Sequence, residues 1–254
     1  MNKDLELLIA AVREAGRAIA DMRRYGVTVS VKDNQDVLTQ ADLLANQILK
    51  ARLQDAFPED GWLSEESVDD AARLQCRRTW VVDPIDGTRE YIAGIPEYAV
   101  SVAVVEDGVS LLACVFNPET NEMFAAARGE GACLNGKPVQ CKQHCTQPLS
   151  LLASRSEYKR GEWQRFQHQH IKVVGSIAYK LALVAAGFAD ATFSLGPKNE
   201  WDIAAGVLLV GEAGGVVTDK SMQSFVFNQK NTRVNGIIAS SNLSRHDVLT
   251  LIAS

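Results

Sequence analysis

The 254-residue sequence has few of the residues that build zinc sites and disulfide frameworks. It contains five cysteines and four histidines, and no two cysteines have the C-x-x-C spacing of a zinc or redox motif. An odd number of cysteines predicts free thiols in a reducing, cytoplasmic setting. Cys141, His144 and Cys145 lie too close together along the chain to close a tetrahedral zinc site, so this stretch is interpreted as a surface linker.

Long apolar runs and blocks of positive charge are missing as well. No run is long enough to cross a bilayer, and the N-terminus predicts an amphipathic helix rather than a signal peptide. We expect no transmembrane segment, which leaves peripheral contact with the inner membrane open. The net charge of −5 and the lack of a Lys/Arg block argue against a nucleic-acid polymer as partner. The composition, with 46% hydrophobic residues, is that of an ordinary globular protein with a substantial core.

The first half of the chain is predicted to hold two helices followed by an antiparallel sheet. Apolar residues at helical spacing predict a helix, and Thr39 with Asp42 forms the capping-box pattern that opens a second one. Asp-Gly and Asn-Gly turns separate the strand patterns that follow. We therefore expect an α+β half over 1–142. The predicted helices span 5–22 and 41–56, and the predicted strands span 27–31, 79–82, 98–105, 109–116, 123–127 and 132–134.

The second half alternates strand and helix patterns, which predicts a sheet covered by helices. We expect this α/β half to span 143–254, with an active site between the two halves. Its predicted strands span 149–153, 171–174, 191–195, 216–217 and 236–239, and its predicted helices span 157–167, 177–186, 203–213 and 245–252.

The string Asp83-Pro-Ile-Asp-Gly-Thr88 follows an apolar strand pattern and places two carboxylates three residues apart. The proline holds Asp83 in an extended conformation, and Gly87 permits close approach of the backbone to a ligand. The N–H groups of Gly87 and Thr88 can bind a phosphoryl oxygen if a helical turn begins there. A turn with two solvated acids is the alternative. The complete string after an apolar strand favours a metal site that holds a phosphate.

Other acids occur where apolar segments end or helices begin. Glu65 and Glu66 follow an apolar segment, and Asp202 stands before a helix of small residues, where it can act as a cap, a ligand or both. Carboxylates gathered in one place repel each other and need a cation. An all-oxygen set with its histidines elsewhere favours Mg²⁺ over zinc. Asp42, by contrast, is explained by its capping box alone.

Four motifs together resemble a known family. They are Leu63-Ser-Glu-Glu66, Asp83-Pro-Ile-Asp-Gly-Thr88, Gly175-Ser-Ile-Ala178 and Trp201-Asp-Ile-Ala-Ala-Gly206, and their order and spacing are similar to those of the inositol monophosphatase superfamily of magnesium-dependent, lithium-sensitive phosphatases. The resemblance covers nearly the whole chain. It implies an α+β / α/β fold of the five-layered αβαβα sandwich type. It also implies a small phosphorylated substrate, two or three Mg²⁺ ions, inhibition by lithium, and a monomer or homodimer.

The resemblance also implies roles for particular residues. A first metal is expected at Glu65, Asp83 and the Ile85 carbonyl, and a second at Asp83, Asp86 and Asp202. A weaker third metal is expected at Glu66 and Asp42, which revises the purely capping interpretation of Asp42. Thr88 with Glu65 would orient the attacking water as the catalytic pair. The expected substrate-binding residues are Gly87, Thr88, Arg89, Ser176, Lys198 and Asp202, and Lys32 matches a basic position near the site.

Three further segments are similar to the bacterial 3′(2′),5′-bisphosphate nucleotidases of CysQ type. They are Thr88-Arg-Glu-Tyr-Ile92, Ser154-Arg-Ser156 and Gly196-Pro-Lys-Asn-Glu-Trp-Asp202. The inositol enzymes carry a glutamate about seven residues before the last aspartate, where this chain has Ser194 or Leu195.

Arg89, Arg155 and Lys198 are candidate donors to a second phosphate. The resemblance therefore favours hydrolysis of 3′-phosphoadenosine 5′-phosphate to AMP. An inositol or sugar phosphatase is the alternative of the same class, and a non-catalytic binding or regulatory protein is the alternative of another class.

Overall fold

The computed structural model describes residues 2–26, 29–31, 37–144 and 147–254. Lys32, Cys145 and the first two positions of the strand predicted over 27–31 lie outside the described residues. The elements of the first half are α1 Lys3–Tyr25, β1 Val29–Val31, β2 Val37–Thr39, α2 Gln40–Ala56, β3 Gly61–Ser64, β4 Arg78–Asp86, α3 Thr88–Ala93, β5 Ala99–Glu106, β6 Val109–Asn117, β7 Glu122–Ala127, β8 Gly131–Leu134 and β9 Lys137–Val139, with a 3-10 helix at Ala71–Gln75.

The second half contains fewer and shorter strands. Its elements are β10 Ser150–Ser154, α4 Arg155–Lys159, β11 His170–Val174, α5 Ile177–Ala185, β12 Ala191–Ser194, β13 Lys198–Asn199, α6 Glu200–Glu212, β14 Gly215–Thr218, β15 Arg233–Val234, β16 Ile237–Ser241 and α7 Arg245–Ala253, with a 3-10 helix at Gln164–Phe166.

Strands β3 to β9 form one seven-stranded sheet in sequence order. The pairs from β4 to β9 are antiparallel, as predicted, whereas β3 runs parallel to β4. The parallel pairing matters for the site because it brings the ends of β3 and β4 to the same edge of the sheet. A second sheet has the order β11-β10-β12-β16-β14, and the pairs β1-β2 and β13-β15 form two small ribbons.

Helices cover the sheets in three layers. Helices α1 and α2 pack on the outer face of the large sheet, around side chains such as Leu8, Leu49 and Trp80. Helices α5 and α6 lie between the two sheets in a continuous apolar core. On the far side of the five-stranded sheet, Trp163 and Phe166 pack with α7. The layers therefore follow the order αβαβα, and the predicted five-layered fold is confirmed.

The prediction of a helix over 157–167 was wrong. The segment forms the short helix α4, then a turn at Gly161 with φ of +80°, and then a 3-10 helix. A left-handed residue ends an α-helix, so one continuous helix cannot pass through this glycine. The small strands β13 and β15 were not predicted. No described helix is both long enough and apolar enough to cross a bilayer.

Candidate active site

Three acids come together from three elements. Glu65 follows β3, Asp83 lies near the end of β4, and Asp202 lies in the first turn of α6. Strand β4 is irregular between Asp83 and Asp86, and the Asp83 carboxylate turns back to accept the N–H of Ile85 at 3.1 Å. Glu65 follows β3 and donates its N–H to the Val82 carbonyl at 3.2 Å. This bond places Glu65 directly beside the buried Asp83.

Asp202 reaches the same point from the other half of the chain. It lies in the first turn of α6 and accepts the N–H of Asn199 at 2.8 Å, so its predicted capping role is confirmed. One carboxylate oxygen from each of Glu65, Asp83 and Asp202 lies within 4.8 Å of the others. The residues predicted from separate motifs therefore form one cluster of oxygen donors.

Asp86 is held in place by the start of α5. Its Oδ2 accepts the hydroxyl of Ser176 and the N–H of Ala178, both at 2.6 Å. Ser176 was expected to bind substrate. Its hydroxyl donates to Asp86, so Ser176 fixes the orientation of this carboxylate. Ser176 also lines the cavity, and its contact with a substrate stays a prediction.

Burial and mutual repulsion raise the pKa values of these aspartates. For Asp83, burial is the largest cause, followed by the charges of Glu65, Asp86 and Asp202. Burial also raises the pKa of Asp202 and, against hydrogen bonds from α5, that of Asp86. Within the described part of the chain, no Lys or Arg nitrogen lies within 4.0 Å of these three aspartates. Hard oxygen donors in this setting fit a divalent cation such as Mg²⁺.

Asp42 and Glu66 lie next to this cluster. Asp42 Oδ2 accepts both the N–H and the hydroxyl of Thr39, which confirms the capping box, and Oδ1 accepts the hydroxyl of Thr88 at 3.3 Å. The pKa of Asp42 is raised chiefly by burial, and the charge of the half-buried Glu66 contributes to the shift. Asp42 therefore caps α2 and also contacts a predicted catalytic residue.

A cavity of about 280 Å³ opens in front of the acids. Gly87 has φ of +97°, and α3 begins at the next residue, so the helical turn expected at Gly87 and Thr88 is present. A Cβ at Gly87 would lie 3.1 Å from the Glu97 carbonyl oxygen. Arg89 lines the cavity, and the hydroxyl of Thr88 lies 3.0 Å from the Ile85 carbonyl oxygen.

Another part of the cavity lining carries cations that already have partners. Arg155 forms ion pairs with Glu90, at 3.4 Å, and with Glu97. The Lys198 ammonium lies 3.6 Å from a carboxylate oxygen of the buried Glu157. Two of the three candidate donors to a second phosphate are therefore matched by carboxylates of the protein itself.

Lys180 and Glu157 were not identified from the sequence. Lys180 is buried and lines the cavity, and its ammonium donates to the carbonyls of Ser176 at 3.1 Å and Val174 at 3.4 Å. Burial lowers the pKa of Lys180 to about 8. A single charged residue in the otherwise apolar helix α5 was the signal that could have revealed it. Glu157 follows Ser154-Arg-Ser156 and has no comparable signal.

The fold and the acid cluster together are those of a family of phosphatases. The model of the inositol monophosphatase family matches residues 1–252, and the chain belongs to this family. A protein named Nus factor SuhB from Xylella fastidiosa is 35% identical over 227 residues, covering 85% of this chain and 81% of that protein.

An inositol-1-monophosphatase from Rhizobium meliloti is also 35% identical and covers 85% of each chain. The solved structure of a Thermotoga maritima IMPase superposes with a TM-score of 0.88, at 27% identity and with coverage of 99% of this chain and 97% of that one. The resemblance to the family is confirmed. These relatives are named SuhB or inositol monophosphatase, and none of the three is named a bisphosphate nucleotidase, the branch that the sequence motifs favoured.

Proposed function

We propose that this protein is a magnesium-dependent phosphomonoesterase that hydrolyses the phosphate ester of a small alcohol. The observation that carries the proposal is the cluster of Glu65, Asp83 and Asp202, whose carboxylates converge around the buried Asp83. Such a cluster costs free energy unless a cation neutralises it.

The expected ligands fall into the sets implied by the family. Glu65, Asp83, Asp86, Asp202 and the Ile85 carbonyl would hold two ions. Asp42 and Glu66, which lie beside this set, would hold a third. When bound, Mg²⁺ neutralises phosphate charge and lowers the pKa of a bound water to make it a nucleophile.

The chain's own groups position the reactants. Gly87 and Thr88, at the start of α3, line the cavity, and their N–H groups would hold phosphoryl oxygens. The Thr88 hydroxyl directs its proton to the Ile85 carbonyl at 3.0 Å and the Asp42 carboxylate at 3.3 Å, so its lone pairs can accept a hydrogen bond from the attacking water. Glu65 would hold the same water from the opposite side.

The test is release of phosphate by the purified protein with Mg²⁺ and with EDTA. The panel holds inositol 1-phosphate, a sugar phosphate, 3′-phosphoadenosine 5′-phosphate and p-nitrophenyl phosphate. We expect activity that EDTA abolishes and Mg²⁺ restores. A folded protein with no activity on the whole panel contradicts the proposal and favours a non-catalytic binding protein.

Among substrates, we propose the monophosphate of a polyol such as inositol first. Arg155 and Lys198 already face carboxylates, which leaves less positive charge for a second phosphate. A relative named inositol-1-monophosphatase supports the same choice.

A 3′(2′),5′-bisphosphate nucleotide is the second candidate, supported by the buried Lys180 in the cavity and by the motif Gly196-Pro-Lys-Asn. If kcat/KM on the bisphosphate exceeds that on inositol 1-phosphate, the order of the two candidates is reversed.

The site takes its acids from both predicted halves of the chain. Glu65, Asp83 and Asp86 belong to 1–142, and Asp202 belongs to 143–254. This distribution supports an active site between two halves. We propose that the enzyme acts in the cytoplasm as a monomer or homodimer.

A further inference from the structure

Glu157 is a buried acid outside the proposed metal ligands, and three groups surround its carboxylate. One oxygen, Oε1, accepts the hydroxyl of Ser194 and lies 3.6 Å from the Lys198 ammonium. The other, Oε2, accepts the indole N–H of Trp163 at 3.3 Å. Ser194 and Lys198 both line the active-site cavity. Glu157 thus lies behind the lining of the cavity and contacts two residues of that lining.

The hydrogen bonds of Glu157 decide what this lining can offer to a ligand. Ser194 has one hydroxyl proton, which is directed to Glu157, so only its oxygen lone pairs remain for the cavity. Lys198 has three N–H donors, and its ion pair with Glu157 leaves donors available on the cavity side. Because Ser194 and Lys198 share one carboxylate oxygen, an acceptor and a donor stand side by side. A substrate hydroxyl, which both donates and accepts, complements this pair.

A second phosphate would fit the same lining poorly. A phosphate group is an acceptor, so it would face the lone pairs of Ser194 rather than a donor. The positive charge of Lys198 is balanced by Glu157, and the buried carboxylate adds repulsion toward any further anion. The charge of Glu157 therefore favours a substrate that presents a hydroxyl at this position over one that presents a second phosphate here.

We propose that Glu157 is a positioning residue that favours substrates presenting a free hydroxyl to Ser194 and Lys198 over substrates presenting a second phosphate there, by fixing Ser194 as an acceptor and holding Lys198 beside it. The inference rests on the proposed phosphatase function. It places part of the substrate selectivity on α4, an element that supplies none of the proposed metal ligands.

The test replaces Glu157 with glutamine, which keeps a carbonyl acceptor for Ser194 and removes the charge. We expect the ratio of kcat/KM on inositol 1-phosphate to kcat/KM on 3′-phosphoadenosine 5′-phosphate to fall about tenfold, mainly through KM. Glu162→Gln is the matched control, because Glu162 is half-exposed and pairs with the exposed Arg160. The control should leave the ratio unchanged. A folded Glu157→Gln protein with the wild-type ratio overturns the proposal.

Two further measurements keep the test decisive if Glu157→Gln does not fold. Ser194→Ala removes the acceptor and should reduce kcat/KM on inositol 1-phosphate more than on p-nitrophenyl phosphate, which has no free hydroxyl. With the wild-type enzyme, deoxy analogues of inositol 1-phosphate that each lack one hydroxyl should include one whose KM rises roughly tenfold.

If no analogue shows this rise, the proposal is wrong. A wild-type protein that is inactive on every substrate contradicts the phosphatase function itself, whereas an active enzyme with unmoved ratios contradicts only the role of Glu157.

Discussion

The two walls of the active-site cavity handle charge in opposite ways. On one wall, Glu65, Asp83 and Asp202 converge without a Lys or Arg nitrogen within 4.0 Å of either aspartate in the described part of the chain. On the other wall, Arg155 and Lys198 each have carboxylate partners supplied by the fold. The buried aspartates of the first wall therefore carry negative charge that a cation from solution would neutralise, whereas Arg155 and Lys198 are already matched by carboxylates of the protein.

This difference separates chemistry from selectivity. A wall of unbalanced carboxylates binds metal strongly and is tied to the phosphate, which all substrates of this class share. A balanced wall attracts no particular charge and discriminates by hydrogen bonding, which depends on the alcohol part of the substrate. Changes to the wall of Glu65, Asp83 and Asp202, called the acid wall below, should reduce activity on every substrate. Changes to the wall of Arg155 and Lys198, called the balanced wall, should alter the preference among substrates.

The largest effect is expected at Asp83, which lies at the centre of the acid wall. Asp83→Asn keeps the shape of the side chain but removes the charge that is expected to bridge two metal ions. We expect kcat to fall by roughly 10³-fold or more on all substrates, since metal-based charge stabilisation contributes several kcal/mol.

Asp107→Asn in the exposed β5–β6 turn is the matched control and should retain activity. Retained activity and Mg²⁺ dependence in Asp83→Asn would remove Asp83 from its bridging role.

Binding of Mg²⁺ should also stabilise the fold, because burial and repulsion raise the pKa of Asp83 in the metal-free protein. At 100 times the dissociation constant, a ligand of the native state adds about 2.7 kcal/mol to the free energy of unfolding. Thermal unfolding with EDTA and with Mg²⁺ measures this gain. We expect the gain to shrink in Asp83→Asn, and an equal gain in both proteins would place the stabilising ion elsewhere.

The acid wall was predictable from the sequence because each ligand lies in a short contiguous motif. Asp83, Asp86 and their glycine turn follow one strand, and Asp202 opens one helix, so local patterns locate all of them. The helices with clear caps, such as α2 with its capping box, were predictable for the same reason. At these positions, a short stretch of sequence determines both the local backbone structure and the side chain that would bind the metal or cap the helix.

The pairing of Arg155 and Glu157 was not predictable, because the partners of both side chains come from distant parts of the chain. Arg155 meets Glu90 and Glu97, more than fifty residues earlier, and Glu157 meets Ser194, 37 residues later. The sequence therefore predicted Arg155 as a donor to a second phosphate, because it did not reveal these two glutamates as partners. The helix that was predicted to reach residue 167 likewise ends before Gly161, whose φ of +80° is left-handed. Only the packing of α4 against β10 and β11 reveals these pairings.

Lys180, which lines the cavity and interacts with the charge of Asp86, gives a pH-dependent test of the site. Burial lowers its pKa from 10.5 to about 8, so the unfolded state binds more protons than the native state between these values. Burial of the charged ammonium lowers the free energy of unfolding by its full amount below pH 8, and this loss is relieved as the pH rises toward 10.5.

In EDTA, the free energy of unfolding of the wild type should therefore rise by about 2 kcal/mol relative to Lys180→Met between pH 7 and pH 10. Lys172→Met, at an exposed position of β11, should follow the wild type. Parallel stability curves for wild type and Lys180→Met would show that Lys180 carries no such cost.

The smallest effect is expected at Arg155, and it separates two roles for this side chain. Arg155 is about one-quarter exposed, so its ion pairs with Glu90 and Glu97 are partly screened by water, and Arg155→Met should reduce stability by only about 1 kcal/mol. If Arg155 braces the wall, KM should rise by a similar, few-fold factor on inositol 1-phosphate and on 3′-phosphoadenosine 5′-phosphate. If it binds a second phosphate, KM should rise selectively on the bisphosphate. Arg160→Met, at an exposed position of the same segment, is the control. We expect the equal rise, because Arg155 already forms ion pairs with two carboxylates of the protein.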